Sequence, residues 1–295
     1  MSKIAIVTDT NAGIDPKEAE KLGVKVIPMP FMVNGETHYE GIDFGPQEFY
    51  KALEENADVS TSQPKPADVL DTWDALLKDY ESVIHIPMSS GLSGACATAT
   101  MLAADYDGRV QVVDNHRISV TMIACIRDTA KMIEDGMSAE EIKARLLKEG
   151  PESQIYIMLD TLKYLKKGGR ITPTAAAIGT ILGLKPVLQI QGEKLDAFSK
   201  ARNTKAGKKV MLDALHKNID EWYGNTGTPS PVHIEVSYSG IDMDPVNRWI
   251  EEVKESFPGE EITVAPLSLS VACHIGPGAL AIAQSKRFET PCALS

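Results

Sequence analysis

The chain lacks any long hydrophobic run. None of its apolar stretches approaches the roughly 18–20 residues that a membrane-spanning helix needs. A predicted strand at residues 3–8 begins almost at the first residue, so no signal peptide is visible. Residues 292–295 fit the prenylation pattern, but no polybasic segment precedes them. We therefore expect a cytoplasmic protein without stable membrane anchoring.

Cysteine and positive charge are also scarce. The four cysteines, Cys96, Cys125, Cys273 and Cys292, form no C-x-x-C pair, which argues against a disulfide framework or a zinc site. Thirty Lys and Arg residues against 41 Asp and Glu residues give a net charge of −11. This balance disfavours nucleic acid and anionic membranes as main partners. Since the histidines show no ligand spacing either, we expect neither a metal nor a cofactor.

The chain lacks three common catalytic fingerprints at the place where they would be expected. A short apolar strand at residues 83–86 leads into Ser89-Ser90-Gly91-Leu92-Ser93-Gly94, and a helix rich in small residues follows. Ala95 stands where a nucleophile elbow needs its last glycine. The segment also lacks the third glycine of a dinucleotide fingerprint and the Gly-Lys-Ser/Thr of a P-loop. It therefore indicates a binding turn without an activated nucleophile.

The order strand, Gly/Ser turn, helix nevertheless suits a small anion. It directs free backbone N–H groups and the positive end of a helix dipole at one point, and serine hydroxyls add donors. A phosphate or a carboxylate would fit such a turn. An ordinary βα turn uses the same residue types, with serine as the N-cap and glycine for tight geometry. Both interpretations stay open at this point.

The overall pattern predicts an α/β protein with two domains. The chain opens with a β-loop-α-β unit, which implies a parallel sheet, and Asp9, Ser89–Gly94 and Asp114 each follow a predicted strand. They should share the carboxyl edge of that sheet, where ligands usually bind. Asn34-Gly35 predicts a hairpin inside a small β insertion at residues 31–45. Gly150-Pro151 predicts the boundary between domains at 1–151 and 152–295, the second with a mixed sheet and helices.

The second half has three informative segments. A short basic helix at residues 160–167 should stop at Gly168-Gly169, just before Arg170. A helix at residues 172–182 has almost no polar face and should be buried or line an apolar cavity, with Ile178, Ile181 and Leu182 as candidate lining residues. His274 precedes a Gly-Pro-Gly turn that leads into a predicted helix at residues 280–284.

Taken in order, these motifs resemble a known family. The chain carries Thr8-Asp9-Thr10, Thr61-Ser62-Gln63-Pro64, the turn Ser89–Gly94, the segment from Lys163 to Ile171, and His274-Ile275-Gly276-Pro277-Gly278-Ala279. This ordered set, which spans nearly the whole chain, resembles the DegV family of bacterial fatty-acid-binding proteins. The chain departs from the usual pattern at Thr10, Gly13, Lys65 and Ala95-Cys96, none of which is among the residues expected to contact a ligand.

The resemblance implies a long-chain fatty acid held between two α/β domains, with its tail buried and no catalytic residue of the chain's own. It implies that Thr61, Ser62, Ser93 and Gly94 hold the carboxylate, with Arg170 and His274 as further polar neighbours. It also implies a partner, a separate ATP-dependent fatty acid kinase that makes acyl phosphate for phospholipid synthesis.

The alternative to a fatty-acid-binding protein is an enzyme. Ser93 could serve a serine hydrolase or a phosphate-dependent transferase if His274 and either Asp9 or Asp114 converged on it.

Overall fold

The chain folds around three sheets. A computed structural model of the protein describes residues 3–178, 184–224 and 230–289. The strands are β1 Ile4–Asp9, β2 Val24–Ile27, β3 Pro30–Val33, β4 Glu36–Tyr39, β5 Val59–Thr61, β6 Ser82–Ile86, β7 Val110–Val112, β8 Ser153–Met158, β9 Lys185–Ile190, β10 Asp196–Ala201, β11 Val232–Tyr238, β12 Ile262–Pro266 and β13 Leu280–Lys286.

The helices cover these sheets. They are α1 Pro16–Lys21, α2 Pro46–Glu54, α3 Pro66–Leu76, α4 Ala95–Ala103, α5 Val120–Glu134, α6 Ala139–Glu149, α7 Lys163–Gly168, α8 Pro173–Ile178, α9 Thr204–Tyr223, α10 Met243–Ser256 and α11 Leu269–Ile275. Within the described ranges, none of them is long and apolar enough to cross a bilayer.

The first sheet is entirely parallel, with the strand order β2-β1-β6-β7. The polar residues that were predicted to follow its strands lie at its carboxyl edge. Asp9 accepts a hydrogen bond from the backbone N–H of Met88 (2.9 Å), and Asp114 accepts one from the N–H of Ser90 (3.2 Å). The parallel topology thus draws the hydroxyl-rich turn against two neighbouring strand ends.

The small second sheet has the order β4-β3-β5 and is antiparallel. Asn34 (φ 52°) and Gly35 (φ 88°) make the hairpin turn, since both adopt the positive φ of a type I′ turn. Its third strand, β5, was not predicted, because the Thr61-Ser62-Gln63-Pro64 segment indicates a turn. Thr61 instead ends a strand and pairs with Phe31 in the centre of this sheet.

The third sheet is mixed, with the order β10-β9-β8-β13-β11-β12 and one parallel pair, β11 with β12. The predicted helix at residues 280–284 is wrong, because this segment is β13, a strand between β8 and β11. Six of its seven residues are buried, so two flanking strands and two covered faces outweigh the helix preference of its alanines.

Helix α5 joins the two halves of the molecule. It packs against β1 of the first sheet and against β11, β12 and β13 of the third. Arg127 on α5 makes hydrogen bonds to Glu18 of the first half (2.6 Å) and to Thr263 of the second (2.6 Å). The predicted boundary at residue 151 falls in the turn between α6 and β8, where the chain passes from one sheet system to the other.

Candidate functional site

A cavity of about 230 Å³ lies between the two halves of the chain. It is walled by the carboxyl edge of the first sheet, by β8, β9 and β13 of the third, and by α7 and α11. Residues 155–281 supply Ile155, Ile157, Leu165, Arg170, Ile190, Leu195, Ser237, Leu267, Ser270, Val271, His274, Ile275 and Ala281. Residues 11–119 supply Asn11, Met29, Thr61, Ser62, Gln63, Met88, Leu92, Ser93, Gly94, Ile118 and Ser119.

All six residues that the sequence assigned to carboxylate binding line this cavity: Thr61, Ser62, Ser93, Gly94, Arg170 and His274. Thr61 and His274 are in direct contact, and Arg170 bonds to Leu92, the residue before Ser93; we call this group of six the polar end. Ser62 and Gly94 are exposed, whereas Thr61, Ser93, Arg170 and His274 are partly buried. The polar end therefore opens toward solvent. Their role toward a ligand remains a prediction.

The hydroxyls of the turn Ser89–Gly94, which we call the serine turn, make different contacts. Ser89 is fully buried and donates to the carbonyl of Gly192 in the second half of the chain (2.5 Å), so this hydroxyl joins the two halves. Ser93 accepts from the backbone N–H of Ala95 (3.2 Å) at the start of α4, and it lines the cavity. The structural interpretation is thus confirmed for Ser89, and anion binding by Ser93 stays a prediction.

A hydrogen bond between distant segments crosses the polar end. Oγ1 of Thr61, at the end of β5, lies 2.8 Å from Nε2 of His274 on α11. Burial, and secondarily the charge of Arg170, lowers the pKa of His274 to about 4. The imidazole is therefore neutral at physiological pH. With its proton on Nε2, it donates to Thr61 and leaves the threonine proton for an anion.

Arg170 lies between the two halves at the same end. Its Nε donates to the carbonyl of Leu92 in the serine turn (3.2 Å), and Nη1 donates to the carbonyl of Gly168 (2.6 Å). Two carbonyls thereby fix the guanidinium plane beside the cavity. Since both acceptors are neutral, they do not cancel the positive charge of the guanidinium. Lys166 on the neighbouring α7 is exposed, and Lys167 pairs with Asp58.

The rest of the cavity wall is mainly apolar. Ile155 and Ile157 point into it from alternate positions of β8, as expected for one face of a strand. Met29, Met88, Leu92 and Ile118 face them from the first half. The tail-pocket candidates Ile181 and Leu182 lie outside the described residues, as does the side chain of Ile178. Sequence reasoning did not identify the strand residues because a fully buried strand does not reveal which face borders a cavity.

Four buried polar residues of the wall were also missed: Asn11, Ser119, Ser237 and Ser270. Ser119 belongs to none of the motifs identified in the sequence. Nothing in the residue type shows that its side chain would face the cavity.

The contacts of Ser93 and His274 do not form the catalytic arrangement that a serine hydrolase needs. Among the described side chains, the hydrogen bond from His274 Nε2 goes to Thr61, and the hydroxyl of Ser93 bonds only to the N–H of Ala95. Asp9 and Asp114 are occupied by backbone N–H groups. Within the same ranges, no cluster of three or more His, Cys, Asp or Glu residues could hold a metal ion.

An apolar cavity with one polar, partly exposed end defines a class: α/β proteins that enclose an amphipathic molecule carrying an anionic group. A family model described as "Uncharacterised protein, DegV family" matches residues 3–287. The chain belongs to the DegV family.

Solved structures and curated relatives resemble the chain over nearly its full length. A structure titled as fatty acid binding of a DegV family protein from Thermus thermophilus is 29% identical, with a TM-score of 0.87, covering 96% of this chain and 99% of that one. The structure of DegV, a fatty acid binding protein from Bacillus subtilis, is 26% identical, with a TM-score of 0.84, covering 97% and 100%. A DegV domain-containing protein of Caldanaerobacter subterraneus is 31% identical, covering 96% of this chain and 98% of its own.

Proposed function

We propose that the protein binds one long-chain fatty acid in this cavity and presents its carboxylate to a separate ATP-dependent fatty acid kinase. The observation that carries the proposal is the cavity itself, which has six polar or glycine residues at a partly exposed end and a mainly apolar interior. Two similar structures are titled as fatty-acid-binding proteins, which supports the same ligand class.

The energetics fit a lipid with weak head-group contacts. Burial contributes about 0.8 kcal/mol per CH₂ group, so a long tail supplies on the order of 10 kcal/mol before the costs of association. The carboxylate then needs only modest donors, and the polar end offers the hydroxyls of Thr61, Ser62 and Ser93 together with backbone N–H groups at the start of α4. Hydroxyl donors leave a carboxylate oxygen nucleophilic enough to attack a phosphoryl group.

A kinase partner is proposed because the chain has no phosphate-cradling loop of its own. Phosphoryl transfer to a carboxylate needs ATP and Mg²⁺ held by such loops. Ser62 and Gly94 are exposed, which supports access of another protein to the proposed head-group end. We place this exchange in the cytoplasm, where ATP is available, and assign the acyl phosphate product to phospholipid synthesis.

The proposal is tested by analysing the lipid content of the purified protein. Denaturing extraction followed by mass spectrometry should yield about one acyl chain per protein molecule. A delipidated sample should take up added octadecanoate and should form acyl phosphate only when a cognate kinase and ATP are added. The proposal fails when neither a bound acyl chain nor uptake is found. Hydrolysis of an ester by the protein alone would favour the Ser93 hydrolase.

A further inference from the structure

The inner wall of the cavity carries a cluster of polar residues that the proposed carboxylate site does not use. Asn11, Ser119 and Ser270 line the cavity, and Ser268 completes the cluster behind them. All four are buried, with exposed fractions of 1, 3, 5 and 3% for Asn11, Ser119, Ser270 and Ser268. A sleeve for a plain hydrocarbon tail has no need of these groups.

Ser119 is the member without a partner. Its Oγ is buried and makes no hydrogen bond to any described residue. Although Ser119 occupies the N-cap position of α5, its side chain does not cap the helix. Its backbone (φ 57°, ψ −136°) lies in a region that non-glycine residues rarely adopt. The fold thus keeps this buried serine hydroxyl off the helix amides, at a residue that lines the cavity.

Asn11 places a second group beside this hydroxyl. Its backbone carbonyl accepts from the N–H of Ser119 (3.0 Å), so the two residues are neighbours. Its Oδ1 accepts from the hydroxyls of Ser268 (3.1 Å) and Ser270 (2.5 Å). Ser270 Oγ also lies 3.1 Å from Ser268 Oγ. Because a hydroxyl has one proton, which Ser270 gives to Asn11, Ser270 can act toward a ligand only as an acceptor. The wall therefore presents one free hydroxyl at Ser119 and one acceptor at Ser270.

One donor and one acceptor are the two partners that a hydroxyl group on the ligand would need. A plain methylene chain would cover Ser119 and leave it without a hydrogen bond, which is costly in a buried site. A ligand hydroxyl can accept from Ser119 and donate to Ser270, and so satisfies both. We propose that the cavity recognises long-chain fatty acids that carry a hydroxyl group within the chain. This inference rests on the proposed fatty-acid-binding function and adds the ligand's second polar group.

The position of the hydroxyl follows from α11. Ser270 and His274 both line the cavity from this helix and are four residues apart, which corresponds to about 6 Å along the helix axis. His274 belongs to the polar end, so the ligand hydroxyl lies one helical turn from the carboxylate. An extended acyl chain covers this distance within several carbons, which places the hydroxyl in the carboxyl half of the chain but beyond its first carbons.

The test compares four ligands on delipidated protein by titration calorimetry. The probes are octadecanoate and its isomers hydroxylated on the third, sixth or twelfth carbon. For the sixth-carbon isomer, Ser119→Ala should weaken binding about tenfold, the usual effect of losing one buried hydrogen bond. The same variant should bind octadecanoate as tightly as the wild type or more tightly. Ser270→Ala is a second variant and should show the same selectivity.

Ser93→Ala is the matched control. Because all four ligands have the same carboxylate, losing a contact to it should lower the affinity for each of them by the same factor. The inference is overturned when Ser119→Ala and Ser270→Ala change the affinity of octadecanoate and of all the hydroxylated isomers by the same factor. If the wild type binds none of the four probes, the proposed function itself fails. The two failures are therefore distinguishable.

Discussion

Thr61 and His274 are 213 residues apart in the sequence, and their Oγ1 and Nε2 atoms lie 2.8 Å apart at the polar end of the cavity. Thr61 ends β5 of the small sheet, and α11, which carries His274, packs against β3 and β5 of the same sheet. The pair thereby ties the small sheet to the second half of the chain. Because burial of His274 favours the neutral imidazole, the site is linked to pH.

We expect the stability of the protein to contain a pH-dependent contribution from His274. Burial lowers the pKa of His274 in the folded state to about 4, below the 6.5 of an unfolded chain. Between these values the unfolded state binds more protons, so stability falls as the pH falls. The contribution lost between pH 7 and pH 5 is about 2 kcal/mol.

The measurement compares the wild type with His274→Gln in urea unfolding at pH 7, 6 and 5. Glu40 and Glu235, whose pKa values burial raises to about 7, are present in both proteins and cancel in the difference. The wild type should lose stability relative to the variant as the pH falls. A difference that stays constant with pH would show that His274 titrates normally in the folded protein.

The same two residues show how far sequence reasoning reaches. The family resemblance carried by short motifs implied that both belong to one site, and the fold brings them together. The elements that position them were not predicted, however, since β5 was taken as a turn and α11 was absent from the expected helices. Short elements of this kind are fixed by the neighbours they pack against, and local residue preference carries too little information to define them.

Longer elements and strand ends were easier to predict. Helix α9 spans residues 204–223, and a helical periodicity sustained over twenty residues is enough to predict it from the sequence. The convergence of Asp9, the serine turn and Asp114 followed from parallel topology alone. The backbone conformation of Ser119 could not be predicted in this way, because a positive φ at a serine depends on the surrounding structure.

Removal of the Ser93 hydroxyl should weaken both fatty acid binding and stability. If Ser93 donates to the carboxylate, Ser93→Ala costs about 1–3 kcal/mol of binding, the range for hydrogen bonds to a charged group. Ser93 also accepts from the N–H of Ala95, so the variant should lose about 1 kcal/mol of stability. Titration with octadecanoate and thermal unfolding measure the two effects.

Ser138→Ala is the control for this prediction. Ser138 caps α6 by accepting from the N–H of Glu141, and it does not line the cavity. This variant should lose comparable stability and keep its affinity. If Ser93→Ala binds octadecanoate as well as the wild type does, the hydroxyl serves the turn alone.

Gly168 should be indispensable for the imidazole of His274. An added Cβ at this position would lie 2.0 Å from Nδ1 of His274 and 2.9 Å from Cε1, so the ring would have to move. We expect Gly168→Ala to break the contact between His274 and Thr61 and to weaken octadecanoate binding about tenfold. Calorimetric titration checks the affinity, and the ring resonances of His274 in NMR spectra check the displacement.

The adjacent Gly169 provides a matched control. It adopts a positive φ of 70°, and an added Cβ there meets nothing within 4 Å. Gly169→Ala should therefore cost about 1 kcal/mol of stability through backbone strain and leave octadecanoate affinity unchanged. Equal effects of both substitutions on affinity would mean that backbone strain at the end of α7 is what matters.

Arg170→Ala should reduce acyl phosphate formation with a cognate kinase more than it reduces fatty acid affinity. The guanidinium is held by the carbonyls of Leu92 and Gly168 at the polar end of the cavity. A fixed positive charge at this exposed end suits the charge that develops on a transferring phosphoryl group, or an acidic surface of the kinase. We expect about a tenfold loss of product formation and a much smaller loss of affinity.

The assay is paired, with octadecanoate titration of the variant alone and product formation with kinase and ATP at saturating fatty acid. Arg145→Ala is the control, because Arg145 pairs with Glu149 on α6 and does not line the cavity. Arg170→Lys keeps the charge but cannot hold both carbonyls in one plane, so it should recover only part of the activity. Equal losses of affinity and product would make Arg170 an ordinary ligand contact, since a residue that acts on the phosphoryl group must affect turnover at saturation. Acyl phosphate formed without any kinase would refute the presentation model, because the transfer machinery would then belong to this chain.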